Sequence, residues 1–205
     1  MIAPVAGTWL VVGLGNPGPT YADHRHNAGY RVVEALAREA GASFSHSLRL
    51  GADVARTRVT AAGSLGGVGA DATPVALMKS RTYMNDSGRS VAKVVKYFDV
   101  AADHLVVIHD EIDLPPGSLR VKFGGGDNGH NGLKSIRRNL GSGDFYRVRV
   151  GVGRPAGNRD PINYVLSAVQ ASERENYELD LAKAADATVA LLTLGLEATQ
   201  TRFNS

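Results

Sequence analysis

The sequence predicts an α/β fold, a single domain whose twisted, mixed and largely parallel β-sheet has helices on both faces. Short apolar segments alternate along the chain with segments of helical periodicity, and this alternation is typical of such folds. The clearest strand signal is residues 105–108, four consecutive branched aliphatic residues that predict a strand buried on both faces. A chain of 205 residues without a repeat or an evident linker suits one domain, residues 1–205.

The elements of the N-terminal half follow from the spacing of apolar residues. Two helices are predicted where these residues recur every three or four positions, one from about Val32 to its end near Gly41 and one over residues 87–98. Residues 63–73 are small and predict a loop or hairpin tip. Strands are predicted at residues 10–12, 52–60 and 74–78.

The C-terminal half continues the alternation. Strands are predicted at residues 105–108, 118–123 and 146–152. A helix between the last two has Leu133, Ile136 and Leu140 on its apolar face. Residues 153–161 predict a loop, and a long amphipathic helical region, about residues 171–200, is expected to pack on the domain.

The composition excludes several chemistries. The chain has no cysteine, which excludes disulfides, thiolate nucleophiles and cysteine-ligated metals and favours a reducing compartment. No basic start precedes an apolar core, and no apolar run approaches the roughly 18 residues of a membrane span. We therefore expect a cytoplasmic protein with no membrane partner.

Charge is unevenly distributed along the chain. Residues 120–160 contain nine basic and three acidic residues, whereas residues 172–205 contain six acidic and three basic ones. A basic segment beside an acidic tail suggests a polyanion as the partner of the middle of the chain. Charge alone leaves open the alternative of a solvated basic face without a partner.

A glycine-rich turn follows the first predicted strand. Residues 13–18 satisfy the pattern G-x-G-x-x-G of dinucleotide-binding folds, but Pro17 interrupts them and helical periodicity starts only after Asn27. The acidic residue expected about 20 positions later would be Glu34 or Glu39, and both lie inside that helix. A dinucleotide-binding oxidoreductase is therefore the less favoured alternative.

Polar side chains follow three predicted strands at the points where these strands end. They are Asn16, Asn85 and Asp110, and a glycine-rich turn adds His130 and Asn131. In open α/β sheets, ligands bind beyond the carboxyl ends of the strands. We therefore expect these segments to converge on one crevice.

The residue types suit hydrolysis by an activated water molecule. His26 would accept the proton of the water as general base, while Asp110 would fix the imidazole tautomer and stabilise the cation that forms. The amide of Asn85 could stabilise a developing oxyanion. An ester is a suitable target because its alkoxide leaves far more easily than an amide nitrogen.

A metal hydrolase is the main rival among enzymes. His109, Asp110, Glu111 and Asp113 lie within five positions. On an extended segment their side chains alternate in direction, so one ion would not readily collect all of them. We expect no metal and no cofactor, and activity that survives a chelator would settle the question.

Four long motifs carry a resemblance to a known family. They are GNPG at 15–18 with Tyr21 and RHNAG at 25–29, YMNDSG at 83–88, HDEIDLPPG at 109–117, and GGG at 124–126 with GHNGLK at 129–134. In this order they resemble bacterial peptidyl-tRNA hydrolase, and the resemblance covers nearly the whole chain. It implies cleavage of the ester that joins a stalled peptide to the terminal ribose of tRNA, which recycles the tRNA.

The resemblance also implies roles for individual residues. By matching positions His26 is the catalytic base and Asp110 its partner. The remaining positions that match the family's cleft are Asn16, Asn85 and Asn131, which would position peptide, ribose or water, Tyr21 and Met84, which would line the cleft, and His130, which would flank it. Family members are single-domain, metal-independent and generally monomeric, so we expect one catalytic domain and a monomer.

Binding of tRNA would use phosphate contacts from the basic segment. Lys122, Lys134, Arg137 and Arg138 are the candidates. A non-catalytic RNA-binding protein on the same scaffold is the alternative, and the presence of His26 argues against it.

Three residues depart from the family pattern. His24 replaces a common threonine, and Asp127 and Asn128 interrupt the glycine-rich turn. We expect these departures to alter local pKa values or the admission of the tRNA end, without touching the proposed base or its partner.

Overall fold

Seven strands form one mixed sheet in the computed structural model of the chain, which describes residues 7–155 and 157–204. The strands are β1 Trp9–Gly13, β2 Ser45–Ser47, β3 Ala52–Val59, β4 Thr73–Ser80, β5 Leu105–Glu111, β6 Leu119–Phe123 and β7 Tyr146–Gly151. Their order is β2-β3-β4-β1-β5-β7-β6. The central strands β4, β1, β5 and β7 are parallel, whereas β2, β3 and β6 pair antiparallel with their neighbours. The predicted mixed sheet with a parallel centre is confirmed.

In the described part of the chain, six α-helices cover both faces of the sheet, as predicted. They are α1 Ala28–Glu39, α2 Ser87–Phe98, α3 Asn131–Leu140, α4 Pro161–Val165, α5 Arg174–Leu194 and α6 Leu196–Phe203. Alternate residues of the strands face opposite sides. On β5, Val106 and Ile108 pack with α1 and α5, whereas Leu105 and Val107 pack with α2 and α3.

Glycines allow α1 to lie directly against the centre of the sheet. A Cβ atom on Gly29 would lie 2.2 Å from the carbonyl oxygen of Ile108, and one on Gly13 would lie 2.2 Å from the carbonyl oxygen of Gly29. No side chain larger than hydrogen fits either contact. The start of α1 is therefore held against β1 and β5, and this contact brings His26, just before the helix, to the end of β5.

Three features of the fold differ from the sequence prediction. The edge strand β2 was not predicted, because its sequence Ser-His-Ser has no apolar alternation and it forms by pairing with β3. The helical region predicted for about residues 171–200 is two helices, α5 and α6. Gly195 separates them with a positive φ of 79°, a backbone conformation that favours glycine. Helix α4 follows the predicted loop and forms part of the cleft described below.

The C-terminal helices pack on the same face of the sheet as α1. Tyr177, Leu181 and Leu191 of α5 and Phe203 of α6 belong to the core on that face. Within residues 7–155 and 157–204, no helix combines the length and the apolar character needed to cross a membrane.

Candidate active site

A cleft with a volume of about 590 Å³ opens at the carboxyl ends of the central strands. Eight residues singled out from the sequence line it: Asn16, Tyr21, His26, Met84, Asn85, Asp110, His130 and Asn131. They come from the segment after β1, the segments before α1 and α2, the end of β5, and the start of α3. The structure thus brings every predicted cleft residue to one place.

His26 and Asp110 form the centre of the cleft. The Nδ1 atom of His26 lies 2.9 and 3.0 Å from the two carboxylate oxygens of Asp110, which is 4% exposed. A carboxylate only accepts hydrogen bonds, so Nδ1 carries the imidazole proton. The neutral ring consequently has its lone pair on Nε2, the nitrogen that is not bonded to Asp110.

His130 donates a second hydrogen bond to the same carboxylate. Its Nδ1 atom accepts from the backbone N–H groups of Gly132 and Leu133, at 3.1 and 3.4 Å, and thereby caps the N-terminus of α3. Its Nε2 atom must then carry the proton, which it donates to Oδ1 of Asp110 at 3.1 Å. The backbone of α3 therefore fixes the tautomer of His130 and leaves it as a donor to Asp110.

The imidazole of His26 and the carboxylate of Asp110 shift each other's pKa values. Burial alone would raise the pKa of Asp110, but the charges of His26 and His130 and their hydrogen bonds lower it well below the usual range. Burial lowers the pKa of His26. The charge of Asp110 and its hydrogen bond raise this pKa by more than burial lowers it, so the net shift is upward from 6.5. Asp110 is therefore ionised near neutral pH, and it favours a proton on His26.

The residues beside Asp110 on β5 have other partners. His109 is buried, and its Nδ1 donates to the backbone carbonyl of Asp110 at 2.7 Å. Burial keeps the pKa of His109 well below 6.5, so its ring is neutral. Glu111 pairs with Arg149, and Asp113 pairs with Arg154, at 2.8 and 2.6 Å. The run of His and acidic residues in this segment does not converge on one point.

His26, Asp110 and His130 are spaced closely enough to be considered as metal ligands. One candidate ligand atom from each lies within 4.8 Å of the other two. Asp110 is already the acceptor for both imidazoles, and Nδ1 of His130 is used by the start of α3. A metal bound here would have to replace these hydrogen bonds, which disfavours a metal at this position. That the reaction is metal-independent stays a prediction.

Asn16 joins the segments that form one wall of the cleft. Its side-chain oxygen accepts from the backbone N–H of Met84 at 2.8 Å, and its backbone N–H and carbonyl pair with the side chain of Asn27. Among the described residues, the side-chain amide nitrogen of Asn16 has no hydrogen-bond partner, and Asn16 lines the cleft. Asn85 and Asn131, in contrast, are exposed side chains that line the cleft.

The turn after β1 has no dinucleotide-binding geometry. Residues 13–18 lead into a short 3₁₀ helix, Pro19–Tyr21, and α1 begins only at Ala28. In dinucleotide-binding folds the helix begins inside the glycine pattern, so that its first N–H groups meet the pyrophosphate, whereas here it begins ten residues after Gly18.

One wall of the cleft was not identified from the sequence. Ile162, Val165 and Leu166, on and just after α4, contribute apolar surface to the cleft. A signal for this helix was present, because Asp160 caps it by accepting from the N–H of Ile162 and Pro161 occupies its first position.

The three departures from the family pattern lie at the edge of the site. His24 forms a β-bridge with Ala168, and burial lowers its pKa below 6.5. Asp127 accepts from Arg137, and Asn128 has a positive φ of 49° and lines the cleft. None of the three contacts the carboxylate of Asp110.

The basic residues of the predicted polyanion-binding segment divide into two groups. Arg147 is 1% exposed and donates to backbone carbonyls of the glycine-rich turn, including those of Gly125 and Gly126. Arg149 and Arg154 are paired with acidic residues, as described above, and Arg137 is paired with Asp127 at 2.7 Å. Among the residues the structure describes, the candidates without an ion pair are Lys122, Lys134 and Arg138.

These features are typical of a hydrolase that activates water on an α/β scaffold: an open cleft, a histidine with one unprotonated nitrogen, and a buried carboxylate bonded to its other nitrogen. The chain belongs to the peptidyl-tRNA hydrolase family, whose sequence profile, described as Peptidyl-tRNA hydrolase, matches residues 10–205.

Relatives of known name and structure agree over almost the full length. The peptidyl-tRNA hydrolase of Cutibacterium acnes is 54% identical over 198 residues, which is 97% of this chain and 98% of that protein. The peptidyl-tRNA hydrolase of Frankia alni is 48% identical over 200 residues, 97% of this chain and 95% of that protein. The crystal structure of peptidyl-tRNA hydrolase from Acinetobacter baumannii superposes with a TM-score of 0.84 at 32% identity, covering 99% of this chain and 97% of that one.

Proposed function

We propose that His26 and Asp110 form the catalytic centre with which this member of the peptidyl-tRNA hydrolase family cleaves the ester between a peptide and the 3′-terminal ribose of tRNA. The observation that carries the proposal is the pair of distances, 2.9 and 3.0 Å, between Nδ1 of His26 and the carboxylate of Asp110. This contact leaves Nε2 as the acceptor for a proton from water.

The reaction would proceed through one water molecule. Nε2 of His26 takes a proton as the water oxygen attacks the ester carbonyl, and Asp110 stabilises the imidazolium that forms. When the tetrahedral intermediate collapses, the imidazolium returns the proton to the departing ribose oxygen. General-base assistance of this kind contributes about 10²–10⁴-fold in rate.

The intermediate would be stabilised and the substrate positioned by amides around the pair. The exposed side chain of Asn85 would donate to the oxyanion, for which one such donor is worth about 10²–10³-fold. Asn131 and the free amide nitrogen of Asn16 would bind the peptide or the ribose. Met84 and Tyr21 would contact apolar parts of the substrate.

His130 would act as a positioning residue. Its tautomer is fixed by α3, and its hydrogen bond holds Asp110 in the orientation that meets His26. The carboxylate is therefore held from two sides, which favours a single geometry for the catalytic pair.

The cleft would also distinguish peptidyl-tRNA from aminoacyl-tRNA. A free α-amine is charged and costs free energy to desolvate beside the apolar wall of α4, whereas a blocked amine is neutral. Asparagine amides would bind the peptide backbone. Comparable turnover of aminoacyl-tRNA and its N-acetyl derivative would refute this hypothesis.

The tRNA backbone would contact Lys122, Lys134 and Arg138, and Arg137 would do so only if its pair with Asp127 opens. Because members of the family that the chain resembles are generally monomeric, we infer that the enzyme acts as a monomer. Its substrate arises during translation, so we expect it to act in the cytoplasm.

Release of N-acetylated amino acid from N-acetyl-aminoacyl-tRNA tests the proposed function. The purified protein is expected to release the acid and intact tRNA, at the same rate with and without a chelator. No release, or binding of the tRNA without release, would instead favour the RNA-binding protein that lacks catalysis. A loss of activity with chelator that added metal restores would contradict the metal-independent mechanism.

A further inference from the structure

The two helical layers of the protein differ in charge. Helices α2 and α3, on one face of the sheet, each contain three lysine or arginine residues and no acidic residue. On the other face, α5 contains four acidic and two basic residues, and α6 contains one of each. The basic character thus extends beyond residues 120–160 to α2, which precedes that segment in the chain.

The basic residues of α2 form one solvent-facing stripe. Arg89, Lys93 and Lys96 are spaced by four and three residues, so they lie on the same side of the helix, and all three are exposed. The opposite side of α2 is buried through residues such as Val91 and Val94. Within the part of the chain that the structure describes, none of the three basic side chains has an ion-pair partner.

Helix α2, which carries the stripe, packs directly against α3, which carries Lys134 and Arg138. The backbone N–H of Gly88 donates to the hydroxyl of Ser135 at 3.0 Å, and a Cβ atom on Gly88 would lie 2.1 Å from the carbonyl oxygen of Ser135. Arg89 and Lys134 are the chain neighbours of these two residues. Arg138, one turn further along α3, is also exposed.

The stripe also begins beside the cleft. Asn85, which lines the cleft, lies four residues before Arg89. From Arg89 to Lys96 the helix rises by roughly 10 Å, so the stripe leads from the rim of the cleft across the surface. A polyanion whose end occupies the cleft would meet this surface next.

We propose that Arg89, Lys93 and Lys96 of α2, with Lys134 and Arg138 of α3, form a phosphate-binding surface for the body of the tRNA whose 3′ end enters the cleft. The proposal rests on the function proposed above and extends it to α2. Unpaired basic side chains in a row, without acidic neighbours on the same helices, suit contacts to a nucleic-acid backbone. RNA is favoured over an anionic membrane because none of the exposed large apolar side chains lies on α2 or α3.

The test compares the triple variant Arg89→Gln, Lys93→Gln, Lys96→Gln with a matched control. The control is Arg38→Gln, Arg174→Gln, Arg202→Gln, which removes the same charge from exposed positions on α1, α5 and α6. Two substrates are used at several salt concentrations: N-acetyl-aminoacyl-tRNA and an N-acetyl-aminoacyl trinucleotide that lacks the tRNA body.

The α2 variant is expected to have a lower kcat/KM than the parent on the tRNA substrate at low salt. The slope of log kcat/KM against log salt concentration should shrink by about 0.7–0.9 for each phosphate group that the variant no longer neutralises. Hydrolysis of the trinucleotide ester should be unchanged, and the control should keep the parent slope on both substrates.

An unchanged slope on tRNA would overturn the proposed surface, as would an equal decrease on the trinucleotide or in the control. Weaker binding of the variant to anionic vesicles, with tRNA turnover unaffected, would assign the stripe to a membrane instead and would equally overturn it. If the parent protein hydrolyses neither substrate, the proposed function itself fails, and this result is distinct from an unchanged slope.

Discussion

At the scale of single residues, the site depends on one buried carboxylate that serves two imidazoles. Asp110 accepts from Nδ1 of His26 and from Nε2 of His130, and only His26 has its other nitrogen free of backbone contacts. The two histidines are therefore not interchangeable. His26 is placed to exchange protons with a substrate, and His130 is placed to hold Asp110.

Replacing Asp110 by asparagine should change the pH profile of the reaction. His26 acts as base only when neutral, so activity falls as the pH drops through its pKa, which Asp110 raises. In Asp110→Asn that charge is gone, and the acid limb of kcat/KM should move to lower pH. The maximal rate should fall by about 10²–10⁴-fold, because the amide can no longer stabilise the imidazolium or fix its tautomer.

The matched control for this variant is Asp186→Asn, which changes an exposed carboxylate on α5. Its profile should follow that of the parent enzyme. An acid limb that stays in place in Asp110→Asn would show that this carboxylate does not set the pKa of the catalytic base.

At the scale of elements, a buried arginine links the segment that carries His26 to the wall formed by α4. Arg25 donates to the hydroxyl of Ser167 and the carbonyl of Ala168, at 3.1 and 3.0 Å, and to the carboxylate of Glu173. Its guanidinium also lies 4.4 Å from the centre of the Tyr164 ring. The apolar wall and the catalytic base are therefore held together by one side chain.

Arg25→Lys should loosen this wall. Lysine keeps the charge but lacks the planar fork of donors and the stacking on the ring. We expect the free energy of unfolding, measured with urea, to fall by about 1–3 kcal/mol, with a higher KM for N-acetyl-aminoacyl-tRNA. Arg31→Lys is the control, because Arg31 pairs with Glu178 at the surface, where such a pair contributes about 0–1 kcal/mol. Equal stability of Arg25→Lys and the parent would contradict the role given to this arginine.

At the scale of the whole molecule, the sequence predicts best what depends on local pattern. Buried strands such as residues 105–108 and amphipathic helices such as α2 have strong periodic signals. The polar edge strand β2 has none, because it depends on pairing with β3. The long C-terminal region is continuous in its apolar spacing, although one glycine, Gly195, divides it.

The site shows the same division between local and tertiary information. Its polar residues could be found because they follow strand ends and match a family pattern. The sharing of Asp110 by two histidines could not be found from the sequence. His130 donates to Asp110 only because the first turn of α3 occupies its Nδ1 atom and so fixes its tautomer. Likewise, the burial of Arg147 and the ion pairs of Arg137 and Arg149 are tertiary contacts, so net charge alone overestimated the basic surface of residues 120–160.

The role of His26 as the base that activates water is tested most directly by the variant His26→Ala. The cleavage rate is measured under single-turnover conditions, with all the N-acetyl-aminoacyl-tRNA bound to the enzyme. The cleavage rate of the bound ester should fall by about 10²–10⁴-fold, while the affinity for the tRNA, measured separately, stays close to that of the parent. Cleavage at the parent rate in this variant would contradict the account.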